Sequence, residues 1–215
     1  MFADRRDAAL KLAAKLHKYK GQNPLVLGIP RGAVPMARII AEQLDGEVDV
    51  VLVRKLHAPG NPEFAVGAVE ESGWTFIAPH AAAVGADDAY IERERAGQLE
   101  LIRRRRVEYT AHRPRMDPAG RIVIVVDDGL ATGSTMIAAL HALRVHNPKT
   151  LICAVPVSPP DTLERIAPRA DEVICLETPF AFSAVGQFYR EFHQVEDAEV
   201  ISCLDLSNPN GARLQ

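Results

Sequence analysis

Apolar residues follow two alternating patterns along the chain. Short β-branched runs at 25–28 (LVLG), 48–54 (VDVVLVR), 121–127 (RIVIVVD), 150–155 (TLICAV) and 172–176 predict buried strands. Between them, residues 4–19, 33–44, 134–146 and 160–167 place apolar side chains at helical spacing. Asp4 and Asp7 favour the start of the first helix, and Gly21 follows its end. Buried strands alternating with helices predict an α/β fold: a Rossmann-like open, mainly parallel sheet flanked by helices, joined by right-handed crossovers. Ligands of such sheets sit outside the carboxyl ends of the strands. Two glycine-containing turns, at 28–32 and 127–135, fall at such ends.

Residues 57–119 interrupt the alternation. Short strands are predicted at 64–69 and 74–78, then a long exposed helix over 87–107, and Pro114–Gly120 returns the chain to the central strand. The expectation is a single domain over 1–215 with an insertion at 57–119 and a small C-terminal hood at 177–206. The glycines and prolines of 57–67 (HAPGNPEFAVG) suit a covering lid.

Composition narrows the function classes. The chain has 215 residues, enough for one domain, and 47% hydrophobic content supplies a sizeable core. A formal charge of −3 does not suit a general nucleic-acid binder. No apolar run is long enough for a transmembrane helix, and residues 1–18 lack the apolar stretch of a secretory signal. Cys153, Cys175 and Cys203 are widely spaced in apolar surroundings, which predicts buried thiols and a cytoplasmic protein.

The run 122–135, IVIVVDDGLATGST, carries the chemistry. Asp127 and Asp128 stand where a buried strand emerges. On a regular strand their side chains point to opposite sides, so one can face a ligand while the other braces the turn. Gly129 and Gly133 permit unusual backbone angles and close approach. Thr132, Ser134 and Thr135 offer hydroxyls, and a helix starting near Ser134 aims its N–H groups at the turn, which makes an anion site. There is no GxxxxGK[ST] and no GxGxxG. A sugar phosphate needs this combination: carboxylates for ribose hydroxyls or a metal, N–H groups and hydroxyls for phosphate.

VVDDGLATGST closely resembles the phosphoribosyl diphosphate motif of the type I phosphoribosyltransferases, and the pattern as a whole resembles the subgroup labelled predicted phosphoribosyltransferases. The resemblance implies that Asp127 and Asp128 contact the ribose hydroxyls directly or through Mg2+, and that Asp127, Asp128, Gly129, Leu130, Ala131, Thr132, Gly133, Ser134 and Thr135 bind the donor. It further implies that Ile29, Pro30, Arg31 and Gly32 hold the diphosphate, with Arg54 and Lys55 as further basic contacts. Asp127, Asp128, Arg31 and Lys55 are the candidate catalytic residues. The implied reaction transfers 5-phosphoribose from 5-phosphoribosyl 1-diphosphate to a nitrogenous base, with inversion at C1. Hypoxanthine–guanine members carry an acid where this chain has Ala131, so the acceptor stays open.

For acid–base work, Glu63, Glu70 and His57 are candidates beside plain polar roles. Phe180, Phe182, Phe188, Tyr189 and Phe192 could form a hood that stacks an aromatic base, with Phe180 and Phe182 best placed, or could pack a core or dimer contact. Alternative readings are a hydrolase or phosphorylase of a phosphoribosyl compound, and a nucleotide-sensing or RNA-binding regulator of the same fold. The RRRR run at 103–106 is the argument for the last, but four consecutive arginines cannot share one helix face, and nearby Glu92, Glu94, Glu100 and Glu108 can pair with them. A homodimer is expected from the family; nucleic acid and membrane are not expected partners.

Overall fold

The structure is a computed structural model that describes residues 1–110 and 115–205, without the side chain of Glu63. Pro114 and Leu206, which bound the expected return segment and hood, lie outside the described residues.

Helix α1 (Arg5–Lys15) is capped by Asp4, whose carboxylate accepts the Asp7 N–H at 2.7 Å. It is followed by β1 (Leu25–Gly28), α2 (Val34–Leu44), β2 (Glu47–Val50), β3 (Val53–Ala58), β4 (Asn61–Glu70), β5 (Thr75–Ile77), α3 (Asp88–Thr110), β6 (Ile122–Val126), α4 (Ser134–Arg144), β7 (Thr150–Val157), α5 (Pro160–Ile166), β8 (Glu172–Glu177) and α6 (Asp197–Leu204). Five strands form a parallel sheet in the order β2-β1-β6-β7-β8. Both faces are covered. Along β6, Ile122, Ile124 and Val126 join a core with α1 and α2, while Val123 and Val125 join one with α4. This explains why the strand reads as an unbroken apolar run.

The strand order places the switch point between β1 and β6. From β1 the chain runs outward to β2, and from β6 it runs the other way to β7 and β8. Gly28 pairs with Val126 in the ladder, and the Ile29 N–H donates to the Val126 carbonyl at 3.0 Å. The 28–32 and 127–133 turns therefore leave the sheet side by side. A crevice at such a point is where open α/β sheets hold ligands.

The predicted strand 48–54 is two strands in different sheets, β2 and β3. Val51 and Leu52 lie between them and are buried, so apolarity continues through the break and hides it. β3, β4 and β5 form a separate antiparallel sheet. The stretch 57–67 belongs to its β3–β4 hairpin, which turns at Pro59–Gly60 with Gly60 at φ +70°. Leu99 and Ile102 of α3 are buried in the core that includes Leu56 of β3. Trp74, just before β5, stacks on His141 of α4 with ring centroids 4.1 Å apart.

The arginines disperse, as four consecutive residues on a helix must, but only Arg104 among 104–106 takes one of the expected glutamates. Arg104 pairs with Glu100 at 3.1 Å, and Arg105 donates to the Tyr109 hydroxyl at 2.9 Å. Arg106 instead turns inward to Asp49 at 3.0 Å and Glu71 at 2.8 Å. Cys153 and Cys203 are buried and Cys175 half-buried, and none of the three is in a disulfide. Among the described residues no helix is long and apolar enough to cross a membrane.

Candidate functional site

An open cleft of about 460 Å³ lies at the switch point, lined by Arg5, Arg31, Gly32, Asp128, Val185 and the segment 192–195. That volume is in the range of small-molecule sites. β6 ends at Val126, so the two acids leave the sheet at once. The Asp128 N–H donates to Asp127 Oδ1 at 2.9 Å, and the Asp128 carbonyl accepts the Tyr189 hydroxyl at 2.6 Å. Asp128 Oδ2 accepts from Arg5 Nε at 3.0 Å and from a terminal Arg5 nitrogen at 2.8 Å. Burial and the adjacent Asp128 carboxylate push Asp127 well above the usual carboxylate range. Burial also raises Asp128, against the opposing pull of the Arg5 guanidinium.

After the acids, the chain forms a tight loop. Gly129 lies against Val185 and Val157, and a Cβ there would fall 2.6 Å from Val185. The Leu130 N–H is taken by the Val157 carbonyl at 2.9 Å. Thr162 of α5 donates its hydroxyl to the Ala131 carbonyl at 2.8 Å, and Arg165 donates to the Thr132 carbonyl at 2.9 Å. Thr132 and Ser134 hydroxyls meet at 3.1 Å. Gly133 adopts φ +69°, the left-handed conformation that turns the chain into α4. Among the described residues no side chain caps α4, so its first-turn N–H groups remain open toward an anion.

The β1 loop meets the acids from the other side. Gly32 sits so close that a Cβ would lie 2.1 Å from Asp128 Oδ2. The Pro30–Arg31 peptide is cis, Ile29 is buried, and Arg31 is half-buried, with Glu196 at 3.5 Å and Asp197 at 3.7 Å. Ile29–Gly32 and Asp127–Thr135 thus gather at one end of the sheet.

Other sequence candidates lie elsewhere. Arg54 donates to Gln98 of α3, and Lys55 is exposed on β3; neither lines the cleft. His57 Nδ1 stands 3.0 Å from Glu94 of α3. Glu70 is buried, accepts the Ser72 N–H at 2.9 Å, and borders a separate small cavity with Asp49 and Arg115. The aromatics divide differently from the expectation. Phe180 is 94% exposed, and Phe182 packs on Phe188 with centroids 5.2 Å apart. Phe192 is the aromatic that lines the cleft, and Tyr189 lies beneath it at 4.9 Å.

Sequence reasoning missed Arg5. Its guanidinium sits 3.9 Å above the Phe192 ring and donates to the His193 carbonyl at 2.5 Å as well as to Asp128. The chain start is held there by backbone bonds to the hood, Phe2 N–H to Phe188 at 2.7 Å and Arg190 N–H to Phe2 at 2.9 Å. Arg5 and Asp128 are 123 residues apart, and a helix-start arginine carries no local signal of such a contact.

The phosphoribosyl transferase domain family matches residues 4–192. A Mycobacterium tuberculosis protein named "Putative phosphoribosyl transferase Rv0571c" is 42% identical over 209 residues, covering 97% of this chain and 47% of that protein. The chain therefore spans about half the length of this curated relative. A ribose-phosphate pyrophosphokinase of Methanopyrus kandleri is 30% identical over 136 residues, 54% of this chain and 47% of the kinase. Among solved structures, TT1426 from Thermus thermophilus superposes with a TM-score of 0.83 at 46% identity, over 94% of this chain and 97% of that one. By its sheet, its paired loops and the match over most of its length, the chain belongs to the phosphoribosyl transferase domain family.

Proposed function

We propose that this chain transfers 5-phosphoribose from 5-phosphoribosyl 1-diphosphate to a nitrogenous acceptor, releasing diphosphate with inversion at C1. The observation that carries this reading is the convergence of an uncapped helix N-terminus, two half-buried carboxylates and Arg31 at one switch point.

The division of labour follows from charge. The 5′-phosphate is taken by the loop 131–135, whose N–H groups and hydroxyls suit a dianion. Ribose hydroxyls are taken by Asp127 and Asp128. Diphosphate lies along 29–32, where Arg31 exchanges its exposed acidic partners for the leaving group and stabilises the charge that develops on it. The transition state carries oxocarbenium-like charge, which negative charge shared by the acid pair favours.

The residues fit Mg2+. Asp127 and Asp128 are two adjacent, half-buried carboxylates offset by one arginine, so a further cation would relieve both. Among the described residues no group of three or more His, Cys, Asp or Glu could hold a metal alone, which suits an ion bound through one or two carboxylates and substrate phosphates. Asp127 and Asp128 would hold it, and it would screen the diphosphate.

Ala131 is exposed and its carbonyl is held by Thr162, so acid–base help for the acceptor does not come from that side chain. The test is Mg2+-dependent consumption of phosphoribosyl diphosphate, followed by phosphorus NMR across a nucleobase panel with a no-base control. Base-dependent diphosphate release that disappears in the Asp127→Asn, Asp128→Asn double variant is the expected result. Base-independent consumption would replace transfer with hydrolysis, binding without turnover would leave a sensor, and the absence of both binding and turnover would overturn the donor assignment.

A further inference from the structure

We propose that Arg5 is a positioning residue for the donor site: it clamps Asp128 in the orientation that receives the ribose and ties that carboxylate to the hood. The inference rests on the phosphoribosyl reading above.

Each edge of the guanidinium is used. Nε and one terminal nitrogen converge on Asp128 Oδ2 at 3.0 and 2.8 Å, and the other terminal nitrogen reaches the His193 carbonyl at 2.5 Å. The flat face lies 3.9 Å from the Phe192 centroid. Both partners of the ion pair are largely shielded, at 14% and 16% side-chain exposure, so the contact is not a solvent-screened surface pair. Arg5 thereby joins three segments, the start of α1, the end of β6 and the hood. The β1 loop is shaped around the same pair. A Cβ on Gly32 would lie 2.1 Å from Asp128 Oδ2 and 3.2 Å from Arg5, so the backbone of this loop packs directly against the pair. Asp128 thus has its own cation, while Arg31, a second cation lining the cleft, faces Glu196 and Asp197. Lysine would keep the charge but not the planar fork that reaches two acceptors while stacking on a ring.

The experiment measures affinity for phosphoribosyl diphosphate with Mg2+ by calorimetry in wild type, Arg5→Met, Arg5→Lys, Asp128→Asn and the Arg5→Met, Asp128→Asn double variant. We expect Arg5→Met to weaken donor binding about tenfold or more and Arg5→Lys to recover part of that loss. In the Asp128→Asn background, Arg5→Met should have little further effect, because the clamp has nothing to hold. Wild-type affinity in Arg5→Met, or an undiminished loss in the Asp128→Asn background, overturns the clamp. If Arg5→Met does not fold, Arg5→Lys decides: undiminished affinity there overturns it. A wild-type protein that does not bind the donor removes the phosphoribosyl reading and the clamp together. A wild type that binds, with Arg5→Met unchanged, removes the clamp alone.

Discussion

Asp127 is a residue whose place in the fold works against stability. Its carboxyl is raised by burial and by Asp128, so the folded chain holds a proton there more firmly than the unfolded chain does. Ionisation therefore weakens the fold as pH climbs from the ordinary carboxylate range, near pH 4, through the raised pKa. Asp127→Asn keeps the oxygen that accepts the Asp128 N–H and removes the charge. Its melting temperature at neutral pH should exceed that of wild type, by roughly 2–4 °C per kcal/mol of relief, with the gain gone below about pH 4. Donor binding should fall in the same variant. Thermal melts across pH and a donor titration check both; an unchanged melting temperature at pH 7 would contradict the first. Gly32→Ala should act in the opposite sense. The added Cβ meets Asp128 Oδ2, at a cost of about 1–3 kcal/mol, and calorimetry should show weaker donor binding without loss of helix content. That the 28–32 and 127–135 turns would lie together was legible, because each is a short, chemically unusual run at the end of a buried strand. Arg5 was hidden because its meaning comes from residues far along the chain. Phe192 and Tyr189 were hidden among other aromatics, whose positions depend on how an irregular segment is tied to the chain start.

At the scale of elements, the 131–135 loop is held from outside by α5. Thr162 is buried and donates to Ala131, and Arg165 donates to Thr132. Thr162→Val keeps the shape and removes the donor. It should destabilise the fold by about 1–2 kcal/mol and raise the donor dissociation constant several-fold, measured by urea denaturation and calorimetry. Equal affinity would mean that the loop needs no support from α5. The parallel strands and their helices were readable because strands buried on both faces give short apolar runs, and covering helices give a 3.6-residue period. The join between β2 and β3 was not, since a chain passing through the interior from one sheet to another stays apolar throughout. The prolines and glycines of 57–67 mark the β3–β4 turn in the sequence, while the register that pairs Leu56 with Gly67 is a non-local property that no local pattern shows.

At the scale of the molecule, Arg106 links the long helix to the edge of the parallel sheet. It bridges Asp49 of β2 and Glu71 beside β4, and Asp49 is only 1% exposed. Arg106→Met should cost about 3–5 kcal/mol by taking the guanidinium away from a buried carboxylate, and Asp49→Asn in the same chain should restore part of that loss. Urea denaturation of the two variants measures it; a loss below about 1 kcal/mol, the range of an exposed pair, would show that the pair is dispensable. The Trp74–His141 stack has a consequence of another kind. Trp74 is the single tryptophan of the chain, and it sits where the antiparallel sheet rests on α4, the helix that continues the 127–133 turn. Intrinsic fluorescence excited at the red edge of indole absorption therefore reports one junction instead of an average over the fold. If the small sheet lifts from α4 before the parallel sheet unfolds, emission will change ahead of far-ultraviolet circular dichroism, and the protein carries its own optical gauge of that separation.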